Sequence, residues 1–384
     1  MAQPVLGILT LYLNEHKHLE ERHIYQKMIT AGQSIGLHVF VFTPQDVDHR
    51  KHRIYSMVYH HDKNRWFRQW TTFPDIIFDR CRLQNSSRFE QLRRFRKRYP
   101  DLLYLNKPLR NKWTIHQVLS EDSYLRQFLP QTKLYNSLAD AQQVLKQHSL
   151  IYMKPINGTG GRGILRVERL APTFMLYVQG RDQKRKIISP QRMTWSQLAT
   201  KLNSWHATGR YIVQQGISLN LPNGRVHDYR MLVQKDETGN WTLTGCAGRI
   251  GAAKSITSNL HGGGEAIPMD EMLRNWIGDE QLITEVKQEA EKMGIEVASY
   301  LERKYGALCE LALDLAIDKN GKIWMLEVNP KPSREVFQLI GDQDTYHKSL
   351  LKPLQYALWL HQQQHALIRS GTPEDPLPVE TVQD

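Results

Sequence analysis

Residues 151–164 read IYMKPINGTGGRGI, in which Gly158, Gly160 and Gly163 form a literal G-x-G-x-x-G. In a dinucleotide-binding unit such a loop follows a strand and opens a helix, whose N-terminus takes the pyrophosphate. A strand-like run, LIYMK (150–154), does precede it here. The run after it, ILRVERL (164–170), alternates apolar and polar residues, which is the period of a strand. The segment therefore reads as a hairpin with a glycine-rich tip. Its glycines let backbone N–H groups approach phosphate oxygens, and Lys154 on the first strand adds a point charge. No G-x-x-x-x-G-K-[ST] is present, which excludes a P-loop. The lysine precedes the glycines and no H-R-D or D-F-G occurs, which excludes a protein kinase.

The chain has 384 residues, enough for two or three domains, with 40% hydrophobic and 23% charged residues, ordinary for a globular protein. The opening MAQPVLGILTLYLNEHK lacks a basic n-region and meets polar residues too early for a membrane span, so it is expected to be a buried strand. Cys81, Cys246 and Cys309 are far apart, and none lies in a C-x-x-C. Neither a disulfide framework nor a zinc site is signalled, and the cytoplasm is the expected location. The net charge of +12 is concentrated early, in HRKHR (49–53), NRWFR (64–68) and RFEQLRRFRKR (88–98). The last places Phe89, Leu92 and Phe95 at helical spacing, which predicts a helix covering a sheet with a solvated basic face. No nucleic-acid motif accompanies the charge, so neither nucleic acid nor membrane is an expected partner.

Residues 5–13, 38–43, 75–79 and 102–106 read as strands alternating with helices over 19–36 and 88–98. This is an α/β pattern with a parallel sheet, expected to form a first domain over 1–110. A helix from Lys112, another over 137–148, the glycine hairpin, further strands and a helix over 194–205 make a second, 111–210. Long strands dominate a third, 211–365, with helices over 282–304 and 345–364. The Pro-rich acidic tail, 366–384, is expected to be disordered.

Within the third section, LALDLAIDKNGKIWMLEVNP (311–330) reads as two antiparallel strands joined at DKNG. Alternation puts Glu327 and Asn329 on one face, and the hairpin brings Asp314 beside them. Two carboxylates and an amide oxygen suit a hard cation such as Mg²⁺. Together with a phosphate-cradling hairpin, this points to a nucleotide.

Lys112, KPINGTGGRGI, YIVQQGI, HDYRMLV and the DL…EVNP hairpin, in this order over residues 111–335, resemble the ATP-grasp superfamily. HDYRMLV followed by GRIGAAKSITSNLHGGG resembles its branch of ribosomal-protein glutamate ligases and glutathione synthetases. SNLHGGG and EVNPKPSR are most similar to the YheC/YheD-like group associated with endospore coats. The resemblance implies an N-terminal α/β domain followed by an ATP-grasp fold of two α+β subdomains clasping ATP. It implies an ATP- and Mg²⁺-dependent carboxylate–amine ligase acting through an acyl phosphate, with association to the spore coat. Lys112 and Lys154 would hold phosphates under a lid carrying Gly158, Gly160, Gly161 and Gly163. The hinge from Gln214 and Gln215 to Ile217 would meet adenine through backbone groups and Ile217. Asp314, Glu327 and Asn329 would hold Mg²⁺, and Arg230, Arg249 and Asn259 would act on the reacting groups. An ion pair to Asp228, two residues away on the same strand face, would orient Arg230; a purely structural pair is the other reading.

Departures from that branch are Thr257 and Gly262 where arginines are usual, and glutamines in the hinge where acidic residues are frequent. His261 would contact substrate or be an ordinary loop histidine. Lys331 and Arg334 would either face an anionic substrate or solvate a turn. Two other functions remain open: a nucleotide-binding coat protein without turnover, and a polyanion-binding protein acting through the basic helix. The amine and carboxylate, an amino acid or a peptide, are not specified by these motifs.

Overall fold

A computed structural model describes residues 3–82, 86–158, 161–170, 173, 175–260 and 263–370. They form three sheets. In the first, the order is Val47–Asp48, Arg53–His60, His38–Phe42, Val5–Leu9, Ile76–Asp79 and Leu103–Tyr104, with Arg65–Thr71 paired to Arg53–His60. Val5–Leu9 runs parallel to both neighbours, as alternation with helices requires. The expectation of a wholly parallel sheet is corrected at one edge. There Arg53–His60 and Arg65–Thr71 form an antiparallel hairpin, which the density of basic residues in both strands concealed. The basic helix is Ser87–Arg98; its Leu92 and Phe95 are buried and its N-cap is Ser86.

The second sheet is antiparallel: Ile187–Met193, Leu176–Arg181, Ile164–Arg169, Leu150–Pro155, Tyr211–Gln215 and Thr132–Leu134. The glycine segment does connect two paired strands, with Leu165 opposite Met153 and Val167 opposite Ile151. Ile151, Met153, Leu165 and Val167 pack against Leu198 and Leu202 of the Trp195–Ser204 helix, so one face is buried and the other looks away. Tyr211–Gln215, grouped by sequence with the strands after it, instead pairs with Leu150–Pro155 here.

The third sheet is also antiparallel, in the order Glu265–Pro268, Trp241–Ile250, His227–Lys235, Glu310–Ile317 and Ile323–Asn329. The Glu280–Tyr305 helix lays Val286, Ala290, Met293, Val297 and Leu301 on one face of it. Every residue of Glu310–Ile317 is buried. The last helix, Gln343–Ser370, runs past the expected end, so residues 366–370 are helical; the rest of the acidic tail lies outside the described residues. That helix contains Pro353. Proline has no N–H, so it releases the Ser349 carbonyl from the helical ladder. Arg334 Nε and Gln234 Nε2 occupy that carbonyl, each at 2.9 Å. Among the described residues, no helix is long and apolar enough to cross a membrane.

Candidate functional site

A cavity, open at its mouth, lies between the second and third sheets. The strand register builds its floor. In the third sheet Asp228 is the cross-strand partner of Arg249, Arg230 of Asp314, and Asp314 of Glu327, while Asn329 lies opposite Ala312. Two-residue alternation then places Asp228, Arg230, Arg249, Asp314, Glu327 and Asn329 on one face. All six line the cavity.

The ion pairs differ from the sequence expectation. Arg230 is bidentate to Asp314, with Nε to Oδ1 at 2.5 Å and Nη2 to Oδ2 at 3.1 Å. Asp228 binds Arg249, at 2.7 and 2.5 Å, and Arg249 Nη2 also reaches Asp314 Oδ2 at 3.1 Å. Residues two apart on a strand share a face but lie nearly 7 Å apart, while direct cross-strand partners are about 5 Å apart, so the pairing runs across strands. Burial alone would raise the Asp314 pKa; Arg230 and then Arg249 outweigh it and hold the carboxyl below its usual range.

The second sheet supplies the roof. Lys154 Nζ donates to Gln214 Oε1 at 2.8 Å, and Gln214 Nε2 donates to Thr132 Oγ1 at 3.2 Å. Burial pushes the Lys154 pKa down, with Glu327 opposing and Lys112 adding to the fall. Lys112 sits in the first turn of Lys112–Glu121, capped by Asn111. Its Nζ donates to the Gly158 carbonyl at 2.7 Å and lies 3.4 Å from Glu327 Oε1, so one ammonium joins the glycine hairpin to the floor. Gly161 has φ +74° and lines the cavity; a Cβ there would stand 3.0 Å from Asn259 Nδ2. The glycine hairpin and the Asn259 loop are thus in close approach. Gly163, at φ +64°, lies beneath the Tyr211 hydroxyl at the return of the hairpin. Gly160, His261 and Gly262 lie outside the described residues.

The structure also places the hinge residues and the two cations that follow the floor strand. The hinge side chains are already engaged: Gln214 as above, and Gln215 Oε1 by the Gln131 N–H at 3.2 Å. The N–H groups of Gln215 and Gly216 donate to the Gln131 and Leu150 carbonyls. Ile217 and Gln215 line the cavity. Lys331 and Arg334 do not solvate a turn or face this cavity. Lys331 Nζ bonds the Asp79 carbonyl, and Arg334 is fully buried against Glu310. The apolar wall of Tyr152, Leu219, Val226, Ile256 and Leu326 was not anticipated. Tyr152 was findable, since it lies two residues from Lys154 on the same strand face.

Among the described residues no group of three His, Cys, Asp or Glu could hold a metal. A set of two carboxylates and one amide remains, and it fits a hard cation. Among the described residues Glu327 forms its one ion pair with Lys112 and also acts electrostatically on Lys154, and Asn329 makes no side-chain hydrogen bond. Asp314 keeps one lone pair, on Oδ1, beyond its arginine bonds. Five cationic side chains face three carboxylates around the cavity, counting Arg162, which favours a polyanionic ligand.

The family model for YheC/D-like ATP-grasp proteins matches residues 101–360, which span the second and third sheets and the cavity between them. The chain belongs to the YheC/D-like ATP-grasp family. The endospore coat-associated proteins YheC and YheD of Bacillus subtilis (strain 168) are both similar to it. YheC is 26% identical over 356 residues, 90% of this chain and 95% of that protein. YheD is 26% identical over 340 residues, 87% of this chain and 74% of its own length. The D-alanine–D-alanine ligase of Coxiella burnetii shares the fold at a TM-score of 0.53, with 12% identity, over 96% of this chain and 99% of that one. The ATP-grasp fold of this family member accounts for the two sheets facing each other across one cavity.

Proposed function

We propose that the chain is an ATP- and Mg²⁺-dependent carboxylate–amine ligase working through an acyl phosphate. The observation that carries this is the single sheet face holding Arg230, Arg249, Asp314, Glu327 and Asn329 opposite Lys112, Lys154 and the glycine lid. Structural relatives that are ligases support the reading. Lys112 and Lys154 bind the nucleotide phosphates, and the backbone at Gly158 and Gly161 closes over them. The Gln215–Ile217 hinge and the apolar wall take the adenine. Mg²⁺ at Asp314, Glu327 and Asn329 neutralises phosphate charge when bound. Arg230 and Arg249 are held by carboxylates on the largely buried floor of the cleft, aimed where negative charge grows as the carboxylate attacks the γ-phosphate. Asn259 contacts the same phosphates from the lid side. An amine then attacks the acyl carbon and phosphate departs.

The same reading divides the chain into an N-terminal unit to residue 110, a lid unit and a catalytic unit, with the three sheets in support. The names of the two Bacillus relatives support an association with the spore coat. The test is incubation with ATP, Mg²⁺ and pooled amino acids, peptides and cell extracts, following phosphate release and product mass. Substrate-dependent release with a condensed product, both lost in Glu327→Ala, is the expected result. Nucleotide binding without turnover in any extract would favour a structural coat protein instead.

A further inference from the structure

A second cavity adjoins the first. The two share Lys112, Gly158, Gln214, Leu326, Glu327 and Asn329 as a common wall. The second is lined on its other sides by the Lys112–Glu121 helix, the Ile323–Asn329 strand, Cys81 and Arg82 beyond the Ile76–Asp79 strand, and Phe89 of the Ser87–Arg98 helix. Its body is apolar, with Phe89, Ile115, Leu129 and Val328 among the lining groups. Its charges are almost all positive: Arg82, Arg96, Arg110, Lys112 and Lys331, against Glu327 alone.

Most of these cations are committed. Arg82 binds Glu20 and Glu21, and Arg96 and Lys331 bind Asp79. Arg110 is exposed and makes no hydrogen bond or ion pair among the described residues. His116 lies one helical turn beyond Lys112, lines the cavity, and has no hydrogen-bond partner among the described residues; its ring stacks on Trp113. Burial lowers the His116 pKa to about 4, so it is a neutral donor and acceptor at pH 7.

We propose that this second cavity takes the acyl donor, a carboxylic acid with an apolar body, whose carboxylate meets the nucleotide at the shared wall. The inference rests on the reading of the first cavity as the ATP site. An apolar body suits Ile115, Leu129 and Val328, and a carboxylate suits a field set by Lys112 and Arg110. An ammonium group finds no free carboxylate there, because Glu327 belongs to the cation set. At the shared wall a carboxylate oxygen forms a bond to Pγ as the bond from Pγ to the bridging oxygen breaks. ADP leaves with that electron pair.

The test is equilibrium binding to the full chain, with ADP and Mg²⁺ titrated separately from the acid. The probes are N-acetylphenylalanine, its neutral methylamide and N-acetylglycine, each added to protein saturated with ADP·Mg²⁺. The acid with the aromatic body is expected to bind at least tenfold more tightly than either comparison. Leu129→Trp, which fills the cavity from a partly exposed position, and Arg110→Glu are each expected to weaken it about tenfold while the ADP affinity holds. If ADP binds but the methylamide or N-acetylglycine matches the acid, the proposal is wrong and the nucleotide reading stands. The proposal is equally wrong if ADP binds and no probe does, or if both variants leave the acid affinity unchanged. If ADP itself does not bind, the nucleotide reading fails and this proposal falls with it.

Discussion

Asp314 sits between two guanidiniums, and that decides both its charge and the freedom of Arg230. Arg230 spends its fork on one carboxylate, while Arg249 is shared between Asp228 and Asp314. Removing Arg230 leaves Asp314 still paired to Arg249, so the fold is expected to survive and the chemistry to suffer. Arg230→Ala should lower substrate-dependent phosphate release by about 10²–10³, equivalent to about 2.7–4 kcal/mol. A rate within tenfold of the parent, with unchanged circular dichroism, would assign Arg230 to structure alone. His116 bears on stability instead. Its pKa falls from the ordinary 6.5 to about 4 through burial. Below 6.5 the unfolded chain gains a proton that folded His116 refuses until about pH 4, so stability declines as pH falls through that window. Urea midpoints at pH 7 and pH 5 should differ less for His116→Gln than for the parent; equal differences would remove His116 as a source of the pH dependence.

At the scale of elements, the glycine hairpin and the floor sheet use the same rule in opposite senses. Both are antiparallel, but the floor concentrates charge on one face and the hairpin segment concentrates glycine in its sequence. Gly163 shows why the glycines are structural as well as permissive. It has φ +64°, and a Cβ would meet the Tyr211 hydroxyl at 2.5 Å. A left-handed conformation costs a residue with a side chain about 1–2 kcal/mol, before the clash is counted. Gly163→Ala is therefore expected to lower the chain's unfolding free energy by at least that amount and to weaken ADP binding. A denaturant melt coincident with the parent's would show that the hairpin return adjusts freely. The Gln343–Ser370 helix offers a contrasting case, since Pro353 costs a helical bond whose carbonyl then receives two buried donors.

Across the whole molecule, a buried charge cluster ties the first sheet to the third. Arg80 follows the Ile76–Asp79 strand and bonds Glu310, Glu21 and the Pro332 carbonyl. Arg334 bonds the same Glu310 from the loop beyond the Ile323–Asn329 strand. Asn106 adds a hydrogen bond to the Pro330 carbonyl at 3.1 Å. The apolar core is continuous here as well, joining Leu6, Tyr25 and Met28 to Phe337, Leu350 and Leu354. Breaking a buried pair by removing one partner leaves an uncompensated charge and costs about 3–5 kcal/mol. Arg334→Ala should lose that much in urea unfolding. A loss below about 1 kcal/mol would mean that Arg80 alone satisfies Glu310.

Local pattern was enough for much of this. The strand period after the glycines specified a hairpin, because alternation is a property of neighbouring residues. The spacing from Asp314 to Glu327 across DKNG specified two carboxylates side by side, and the structure makes them direct partners. The order of motifs specified the family. What sequence could not supply is which strand lies beside which. The partner of Arg230 is Asp314, 84 residues away, and no local rule prefers it to Asp228. Lys331 and Arg334 look like loop cations in sequence, yet tertiary packing buries both against acids from distant segments. The edge hairpin over Arg53–Thr71 was hidden for a related reason: its basic residues mask strand alternation, and only pairing reveals it. Backbone periodicity is encoded within a few residues, whereas the choice of electrostatic partner is made by the register between strands far apart in the chain.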